Sequence, residues 1–240
     1  MNTGKVYIVG AGPGPADLLT VRAYNAIKKA EVVLYDALVS GEIRDLFPEA
    51  AEKVFVGKRA GDGRDVTVRQ NAIHQKLLHF AQEGKAVVRV KSGDPMIFSR
   101  GAEETSFLKE HKLQYEVIPG ISAFNAAAAE FGVSLTDRRG SNSLHLLSGT
   151  DVSGKAVSAQ HLCDILDKRG TAVLYMGTKV LEEINQALDP EQRECINTTI
   201  VSRAGRKNAA IMEGCLKDVI IQHAKSPLPT PALIFLKKFD

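Results

Sequence analysis

Residues 5–15 read KVYIVGAGPGP, and this segment is the strongest indication of the fold class. A mostly apolar run that ends in glycine is typical of a buried strand, and the glycines and prolines after it predict a tight turn. The next segment, residues 17–29, carries apolar side chains at helical spacing and therefore predicts a helix. A strand, a glycine-rich turn and a helix in this order indicate the start of an α/β domain.

The same alternation continues through the first half of the chain. Strands are predicted at residues 31–35, 86–91 and 115–118, and helices at residues 66–83, 101–111 and 122–131. Alternating strands and helices indicate a mostly parallel sheet with helices on both faces. We therefore expect residues 1–134 to form an N-terminal α/β domain.

The second half of the chain has a different pattern. The polar stretch TDRRGSNS after Gly132 predicts a domain boundary, so that residues 135–240 form a C-terminal domain. Short strands are predicted at residues 144–147, 172–175, 198–201, 210–212 and 233–236. Helices separate the first of these strands, whereas the last ones are close enough in sequence to pair antiparallel. We therefore expect a mixed α/β sheet in this domain.

The composition of the chain excludes several classes of protein. The net charge of +3 over 240 residues is too small to indicate nucleic-acid binding, but it suits an anionic small molecule if basic residues converge locally. No apolar stretch approaches the roughly 20 residues that span a bilayer, and the first residues lead into a strand rather than a signal peptide. The three cysteines and six histidines lack metal-ligand spacing. We therefore expect a cytoplasmic protein without a metal site.

The glycine-rich turn raises the alternative of a dinucleotide-binding site. Asp36, at the end of the second predicted strand, stands where that fold keeps a ribose-binding acid. However, the fingerprint requires G-x-G-x-x-G, and this chain has Pro15 at the third glycine position. Pro13 and Pro15 also lack the backbone N–H groups that bind a pyrophosphate. The turn favours a ligand without phosphate, while a purely structural turn and a nicotinamide-dependent oxidoreductase remain alternatives.

Eight short motifs follow one another along the chain. They are VGAGPGPADLLTVRA (9–23), YDALVS (35–40), GKRAG (57–61), VKSGDPMIFSRGAEE (90–104), VIPGISA (117–123), GVSLTDR (132–138), LYMG (174–177) and SPLPTPALIFL (226–236). Their order and spacing resemble the tetrapyrrole methylase family over nearly the whole chain. The combination of YDALVS with GKRAG is the most specific part of this resemblance.

The resemblance implies a fold, a co-substrate and a reaction. The fold is two α/β domains with the active site in the cleft between them, and a homodimer is usual. The co-substrate is S-adenosyl-L-methionine (SAM), and S-adenosyl-L-homocysteine is its product. The pattern is closest to members that methylate uroporphyrinogen III twice to precorrin-2, on the route to siroheme and cobalamin. Alternatives are a later precorrin methyltransferase, diphthine synthase, and a module that binds SAM or a tetrapyrrole without turnover.

The resemblance also implies roles for individual residues. Asp36 is the expected proton acceptor and Lys58 the expected proton donor. Because the implied substrate carries many carboxylates, Arg59, Arg100 and Arg138 are expected to bind it through their guanidinium forks. The residues with an implied cofactor-binding role are Pro13, Ser92, Gly93, Asp94, Ile97, Ser122, Ala123, Met176, Ala204, Thr230, Pro231 and Ala232.

Three segments depart from the usual pattern of the family. Ser92 stands where glycine is usual, and a left-handed backbone at that position would be strained for serine. Residues 99–104 read SRGAEE in place of GRGGEE, and residues 70–74 read QNAIH in place of QxEIN. We expect these changes to leave the SAM site in place and to bear on substrate recognition.

Overall fold

The protein is described by a computed structural model that covers residues 3–58, 65–151, 153–179 and 181–238. By its internal contacts the chain divides into two compact units, residues 1–123 and 124–240. The division falls at the first residue of a helix, α5 (Ala123–Phe131), and the boundary predicted from the sequence, 134/135, lies just beyond the end of that helix. Within the described ranges, no helix combines the length and the apolar character needed to cross a bilayer.

The first unit contains a five-stranded parallel sheet. Its strands are β1 (Val6–Gly10), β2 (Val32–Tyr35), β3 (Glu52–Phe55), β4 (Val87–Lys91) and β5 (Tyr115–Ile118), in the order β3-β2-β4-β1-β5. Each neighbouring pair runs parallel. The helices of this unit are α1 (Val21–Lys28), α2 (Gly41–Arg44), α3 (Val66–Gln82) and α4 (Gly101–Glu110). The predicted parallel sheet is confirmed.

Helices cover both faces of this sheet, as the sequence predicted. Alternate residues of a strand point to opposite faces, so Val33 packs with α1 residues such as Ile27, whereas Leu34 packs with α3 residues such as Leu77. All four of these side chains are fully buried. The strands are therefore apolar on both faces, which is why they appear in the sequence as continuous apolar runs.

The second unit contains a mixed five-stranded sheet. Its strands are β6 (Ser143–Ser148), β7 (Gly170–Tyr175), β8 (Ile196–Ser202), β9 (Ala210–Cys215) and β10 (Ala232–Lys238), in the order β6-β7-β10-β8-β9. Strands β6 and β7 run parallel, and the other neighbouring pairs run antiparallel, which confirms the predicted mixed sheet. Its helices are α6 (Ala159–Asp167), α7 (Leu181–Gln186), α8 (Pro190–Cys195) and α9 (Leu216–Lys225).

The structure differs from the predicted elements in a few places. The helix predicted over residues 17–29 begins only after Thr20, whose hydroxyl accepts a hydrogen bond from the N–H of Ala23 at 3.1 Å and caps α1. Residues Ala16–Leu18 form a separate 3-10 turn. Strand β3 and helices α2 and α9 have no predicted counterpart. Strand β3 lies at the edge of its sheet with Glu52 exposed, so it lacks a continuous apolar run.

Two glycines allow the loops that follow β1, β4 and β5 to pack backbone against backbone. A methyl group at Gly120 would lie 2.3 Å from the carbonyl oxygen of Gly93 and 2.8 Å from the Cα atom of Gly10. A methyl group at Gly10 would lie 2.5 Å from the backbone nitrogen of Gly120. Because the atoms in the way belong to the backbone, these two positions accept only glycine without a shift of the loops.

We expect the substitution Gly120→Ala to lower the free energy of unfolding by about 1–3 kcal/mol, because the added methyl group overpacks the loop contact. The control is Gly41→Ala, where the added methyl group meets only the end of the Arg44 side chain at 3.9 Å. Urea denaturation measures both, and the control should match or exceed the wild-type midpoint. Equal midpoints for the two variants would show that the loops accommodate a side chain at position 120.

Candidate functional site

A cavity of about 250 Å³ lies in the first unit at the carboxyl ends of β2, β3 and β4. In parallel sheets this edge is where ligands commonly bind. Helix α3 and the loop before α4 supply the remaining walls. Among the described residues of the lining, Asp36 is the acidic one and the basic ones are Lys58, Arg69, Arg89, Lys91 and Arg100. The cavity is therefore suited to an anionic ligand.

Apolar side chains complete the cavity lining. Val56 and Ile73 are buried, whereas Val66 and Phe98 stay 59% and 43% exposed although both are large hydrophobic residues. Exposed apolar side chains beside a cavity commonly mark a binding site for an apolar or amphipathic ligand. The lining thus combines basic groups for anions with an apolar surface for a ring system.

A network of four charged side chains lies at the floor of the cavity, where three of them line it and the fourth, Glu104, lies beneath. Arg89 is 2% exposed, and its Nη2 atom donates to both carboxylate oxygens of Asp36 at 2.8 Å. The Nε atom of Arg89 lies 3.2 Å from Oε1 of Glu104, and Nζ of Lys91 lies 2.8 Å from the same oxygen. Glu104 is fully buried and Lys91 is 3% exposed. Such charges tolerate burial because they pair with one another.

Burial and pairing act in opposite directions on these groups. Burial would raise the pKa of Glu104, but the positive charges of Arg89 and Lys91 outweigh it and hold that pKa below its ordinary value. Burial lowers the pKa of Lys91, and the nearby charge of Arg89 lowers it further. Burial also acts to lower the pKa of Arg89, but the charges of Glu104 and Asp36 raise it overall. Glu104 is thus held as a carboxylate by the two cations.

The segment at residues 70–74, which departs from the family pattern, extends this network. The side-chain amide nitrogen of Gln70 lies 3.5 Å from Oε1 of Glu104 and 3.1 Å from Nε2 of His74. The His74 ring stacks on Phe107 of α4, with 4.5 Å between the ring centroids, and burial lowers the pKa of His74. The departure therefore ties α3 to α4 behind the cavity.

The two predicted catalytic residues both line this cavity. Asp36 follows β2 and is 29% exposed, and Lys58 follows β3 and is exposed. The structure thus brings together two residues that lie far apart in the sequence. Their roles as proton acceptor and proton donor stay predictions.

The three predicted substrate-binding arginines have different positions. Arg100 lines the cavity and precedes α4 with a left-handed backbone (φ 62°); its guanidinium pairs with Glu103 and donates to the carbonyl oxygen of Val66 at 3.3 Å. Arg138 is exposed in the segment before β6 of the second unit. Arg59 lies outside the described residues. The predicted contacts of all three with substrate carboxylates stay predictions.

The predicted cofactor residues of the first unit lie in three loops that contact one another. The backbones of Gly12 and Gly93 exchange two hydrogen bonds of 3.2 and 2.7 Å. The carboxylate of Asp94 accepts backbone hydrogen bonds from Met96 at 2.8 Å and from Gly120 at 3.1 Å. The other predicted residues in these loops are Pro13, Ser92, Ile97, Ser122 and Ala123, of which Pro13 and Ser122 are buried. Asp94 therefore links the loop after β4 to the loop after β5.

The serine at position 92 does not strain the loop. The left-handed position is the next one, Gly93, with φ of 70°, and Ser92 is not among the residues with positive φ. Gly93 has open space where a side chain would begin, apart from the backbone nitrogen of Ala123 at 3.9 Å. The departure from the family pattern at Ser92 is therefore compatible with the loop conformation.

The predicted cofactor residues of the second unit meet at one edge of its sheet. Tyr175 at the end of β7 pairs with Leu233, and Ser202 at the end of β8 pairs with Ala232. The predicted residues Met176 and Ala204 lie in the loops after β7 and β8, Thr230 and Pro231 lie just before β10, and Ala232 is its first residue. Their roles in cofactor binding stay predictions.

Backbone strain marks this edge of the second sheet. Met176 has φ of 56° and is 58% exposed, although methionine is apolar. Arg203, next to Ala204, has φ of 53°, and its N–H donates to the carbonyl oxygen of Pro231 at 2.8 Å. Non-glycine residues in the left-handed region cluster at ligand sites, which makes these loops candidates for contact with a ligand.

Three members of the charge network were not predicted from the sequence. Arg89, Lys91 and Glu104 became candidates only in the structure, although one signal exists in the sequence. Residues 87–91 read VVRVK, so two basic residues alternate with apolar ones within a buried strand. Charged side chains inside a buried strand require partners of opposite charge. The strand therefore predicts a charge network but does not identify the acidic residues in it. Within the described ranges, no three His, Cys, Asp or Glu residues are grouped so as to hold a metal ion.

Comparison with known proteins assigns the family. The family model "Tetrapyrrole (Corrin/Porphyrin) Methylases" matches residues 5–220. The siroheme synthase of Psychrobacter arcticus is 41% identical over 97% of this chain, but the chain covers only 42% of that protein. The chain thus spans less than half the length of this relative. The uroporphyrinogen-III C-methyltransferase of Methanocaldococcus jannaschii is 36% identical, and the alignment covers 97% of this chain and 95% of that protein.

Solved structures agree with this assignment. The uroporphyrin-III C-methyl transferase of Thermus thermophilus, complexed with S-adenyl homocysteine, has a TM-score of 0.79 and 34% identity. The alignment covers 98% of this chain and 97% of that one. A cobalt precorrin-4 methyltransferase has a TM-score of 0.81 and 26% identity, with 97% and 94% covered. The family inferred from the motifs is confirmed, and the chain belongs to the tetrapyrrole (corrin/porphyrin) methylases.

Proposed function

We propose that the chain is a SAM-dependent C-methyltransferase that converts uroporphyrinogen III to precorrin-2 by two successive methyl transfers. The observation that carries this proposal is the cavity of the first unit, where Asp36 stands among five basic side chains beside exposed apolar ones. A tetrapyrrole with many carboxylates requires both kinds of surface. The match to 95% of the archaeal uroporphyrinogen-III C-methyltransferase supports this choice of substrate.

The glycine-rich turn after β1 fits SAM better than it fits a dinucleotide. The N–H of Ala11 donates to the carbonyl oxygen of Lys91 at 2.8 Å, and the N–H of Gly12 donates to that of Gly93. Pro13 has no N–H. A pyrophosphate site depends on free backbone N–H donors at this turn. In residues 11–13 the N–H donors are either engaged in hydrogen bonds or missing, so these residues offer none to a pyrophosphate. SAM carries no phosphate, so the turn can serve as a shaped wall.

The proposed mechanism assigns positioning to the chain and proton transfer to two residues. When bound, SAM supplies a methyl group on a sulfonium whose leaving group is a neutral thioether. Little charge builds up for the protein to stabilise, so alignment dominates, and alignment can contribute roughly 7–11 kcal/mol. The basic residues of the cavity hold carboxylates of the substrate. Asp36 accepts the one proton that the macrocycle loses for each methyl group it gains, and Lys58 stays the predicted proton donor.

The experiment that tests the function is an anaerobic incubation of the purified protein with SAM and uroporphyrinogen III. We expect the product mass to increase by two methyl groups and the absorbance to become that of precorrin-2 or its oxidised form. The second candidate is methylation of a later corrin-ring intermediate, which the likeness to the cobalt precorrin-4 methyltransferase supports. Intact SAM binding without any methyl gain would reject uroporphyrinogen III and favour this second candidate.

A thermal-shift titration separates the cofactor alternatives. A ligand that binds only the folded state stabilises it by RT ln(1 + [L]/Kd), so SAM should raise the melting temperature in a concentration-dependent way. NAD and NADH should leave it unchanged because the N–H groups of Ala11 and Gly12 are engaged and Pro13 has none. A rise with NAD or NADH and none with SAM would favour the oxidoreductase alternative.

We expect Asp94→Ala to weaken SAM binding at least ten-fold, on the order of 1.4 kcal/mol. The substitution removes the carboxylate that accepts hydrogen bonds from the backbone N–H groups of Met96 and Gly120. The two loops are then no longer linked and become less ordered. Isothermal titration calorimetry measures the change. The matched control is Asp151→Ala, which also removes a carboxylate bound to backbone N–H groups, those of Ser153 and Lys155. Unchanged SAM affinity in Asp94→Ala would refute this role of Asp94.

The proposal also includes a homodimer in the cytoplasm. The dimer rests on the resemblance to the family, in which dimers are usual, and the location rests on the three free cysteines, which are typical of a reducing compartment. Analytical ultracentrifugation of the purified chain tests the dimer, and a mass of one chain at micromolar concentration would contradict it.

A further inference from the structure

The position of Arg89 raises the question of what this residue does for the reaction. Its guanidinium lies between two carboxylates, Asp36 in the cavity lining and Glu104 beneath it. A third hydrogen bond of 3.2 Å runs from Nη1 to the carbonyl oxygen of Val90. With Arg89 only 2% exposed, these contacts leave the guanidinium a single orientation.

Arg89 in turn determines where the Asp36 carboxylate points. One nitrogen of Arg89 donates to both Asp36 oxygens at 2.8 Å, which restrains rotation of the carboxylate. Each carboxylate oxygen has two lone-pair positions, so each keeps one that can accept a proton from a ligand. Asp36 is 29% exposed and lines the cavity, so that the remaining positions are accessible.

Glu104 anchors this arrangement from below. Its Oε1 atom receives both Arg89 and Lys91, at 3.2 and 2.8 Å, while its Oε2 atom has no hydrogen-bond partner among the described residues. A fully buried carboxylate with one oxygen unpartnered is an energetic cost. Glu104 therefore fixes the Nε side of the guanidinium, while Nη2 contacts Asp36.

We infer that Arg89 is a positioning residue, whose guanidinium, anchored by Glu104, sets the orientation of the Asp36 carboxylate toward the substrate. This inference rests on the proposed function, because it requires Asp36 to take part in turnover. Lysine at position 89 would keep the charge but lose the planar fork that contacts Asp36 and Glu104 simultaneously. Arg89→Lys is therefore the informative substitution.

The test is a double-mutant cycle on turnover with Arg89→Lys, Asp36→Asn and the combined variant. Alone, Arg89→Lys should lower kcat at least ten-fold and change the KM for uroporphyrinogen III by less than three-fold. In the Asp36→Asn background, the same substitution should change kcat by less than three-fold, because there is no carboxylate left to orient. The control Arg22→Lys, at a 72% exposed side chain, should leave kcat unchanged.

Several outcomes would overturn the inference. If Arg89→Lys lowers kcat by the same factor with and without the Asp36 carboxylate, Arg89 does not act through Asp36. A rise in KM at unchanged kcat would mean that Arg89 binds the substrate directly. If Arg89→Lys does not fold, judged by its melting temperature and SAM affinity, Glu104→Gln replaces it in the cycle with the same expected pattern. Wild-type turnover in Asp36→Asn alone would instead refute the role of Asp36 in the proposed function.

Discussion

Asp36→Asn is expected to lower turnover of uroporphyrinogen III by about 10²- to 10⁴-fold and to leave SAM binding at the wild-type level. The amide has nearly the same shape as the carboxylate but does not accept a proton, so it removes the acid–base contribution, which is typically of this size. The effect should appear in kcat, because the carboxylate is needed after the substrate has bound.

Initial rates under anaerobic conditions measure turnover in this variant, and calorimetry measures its SAM affinity. The matched control is Asp45→Asn, which changes an exposed acid at the end of α2. The control should behave as the wild type in both measurements. Wild-type turnover in Asp36→Asn would remove Asp36 from the mechanism and leave the cavity as a binding site only.

Glu104→Leu has the largest expected effect on stability. The substitution leaves the buried cations Arg89 and Lys91 without their shared partner at Oε1. Removal of one member of a buried ion pair typically costs about 3–5 kcal/mol, because the remaining charge stays desolvated and uncompensated. Urea denaturation at neutral pH measures the change. Glu110→Leu, an exposed position on the same helix, is the control and should stay near the wild type.

The cost of Glu104→Leu should depend on pH. The pKa of Glu104 in the folded protein lies below its ordinary value of 4.5, since Arg89 and Lys91 outweigh the effect of burial. The stability that comes from this shift is present above 4.5 and is lost as the pH falls through the folded-state pKa. The difference between wild type and variant should therefore shrink in acid, and an equal difference at neutral and acidic pH would contradict the ion-pair explanation.

The fold class and most of the secondary structure were predictable from the sequence, because these depend on local patterns. The apolar run at β1 and the helical spacing in α3 each come from neighbouring residues and predict an element without knowledge of the rest of the chain. Helix α9 carries Leu216, Val219 and Ile220 on one face. This helical spacing is visible in the sequence, although no helix was predicted there. The order of the motifs determined the family.

Local patterns also set the limits of that prediction. Strand β3 has only four residues, two of them exposed, and an edge position that does not demand an apolar run. The apolar spacing of α1 continues into the residues before it. The helix nevertheless begins only after Thr20, because the Thr20 side chain caps its first turn. In both cases the position of the element depends on contacts that the spacing of apolar residues does not reveal.

The charges that meet at the cavity could be identified only from the three-dimensional structure. Asp36 and Arg89 are 53 residues apart, and Arg89 and Glu104 are 15 apart, so no spacing along the chain predicts their pairing. They meet because parallel strands bring their carboxyl ends to one edge of the sheet, and α4 packs its buried face beneath that edge. The strand pattern VVRVK indicates that two buried cations need partners. Which carboxylates neutralise them follows from the fold alone, because Coulomb attraction in a low-dielectric interior acts between neighbours in space, not in sequence.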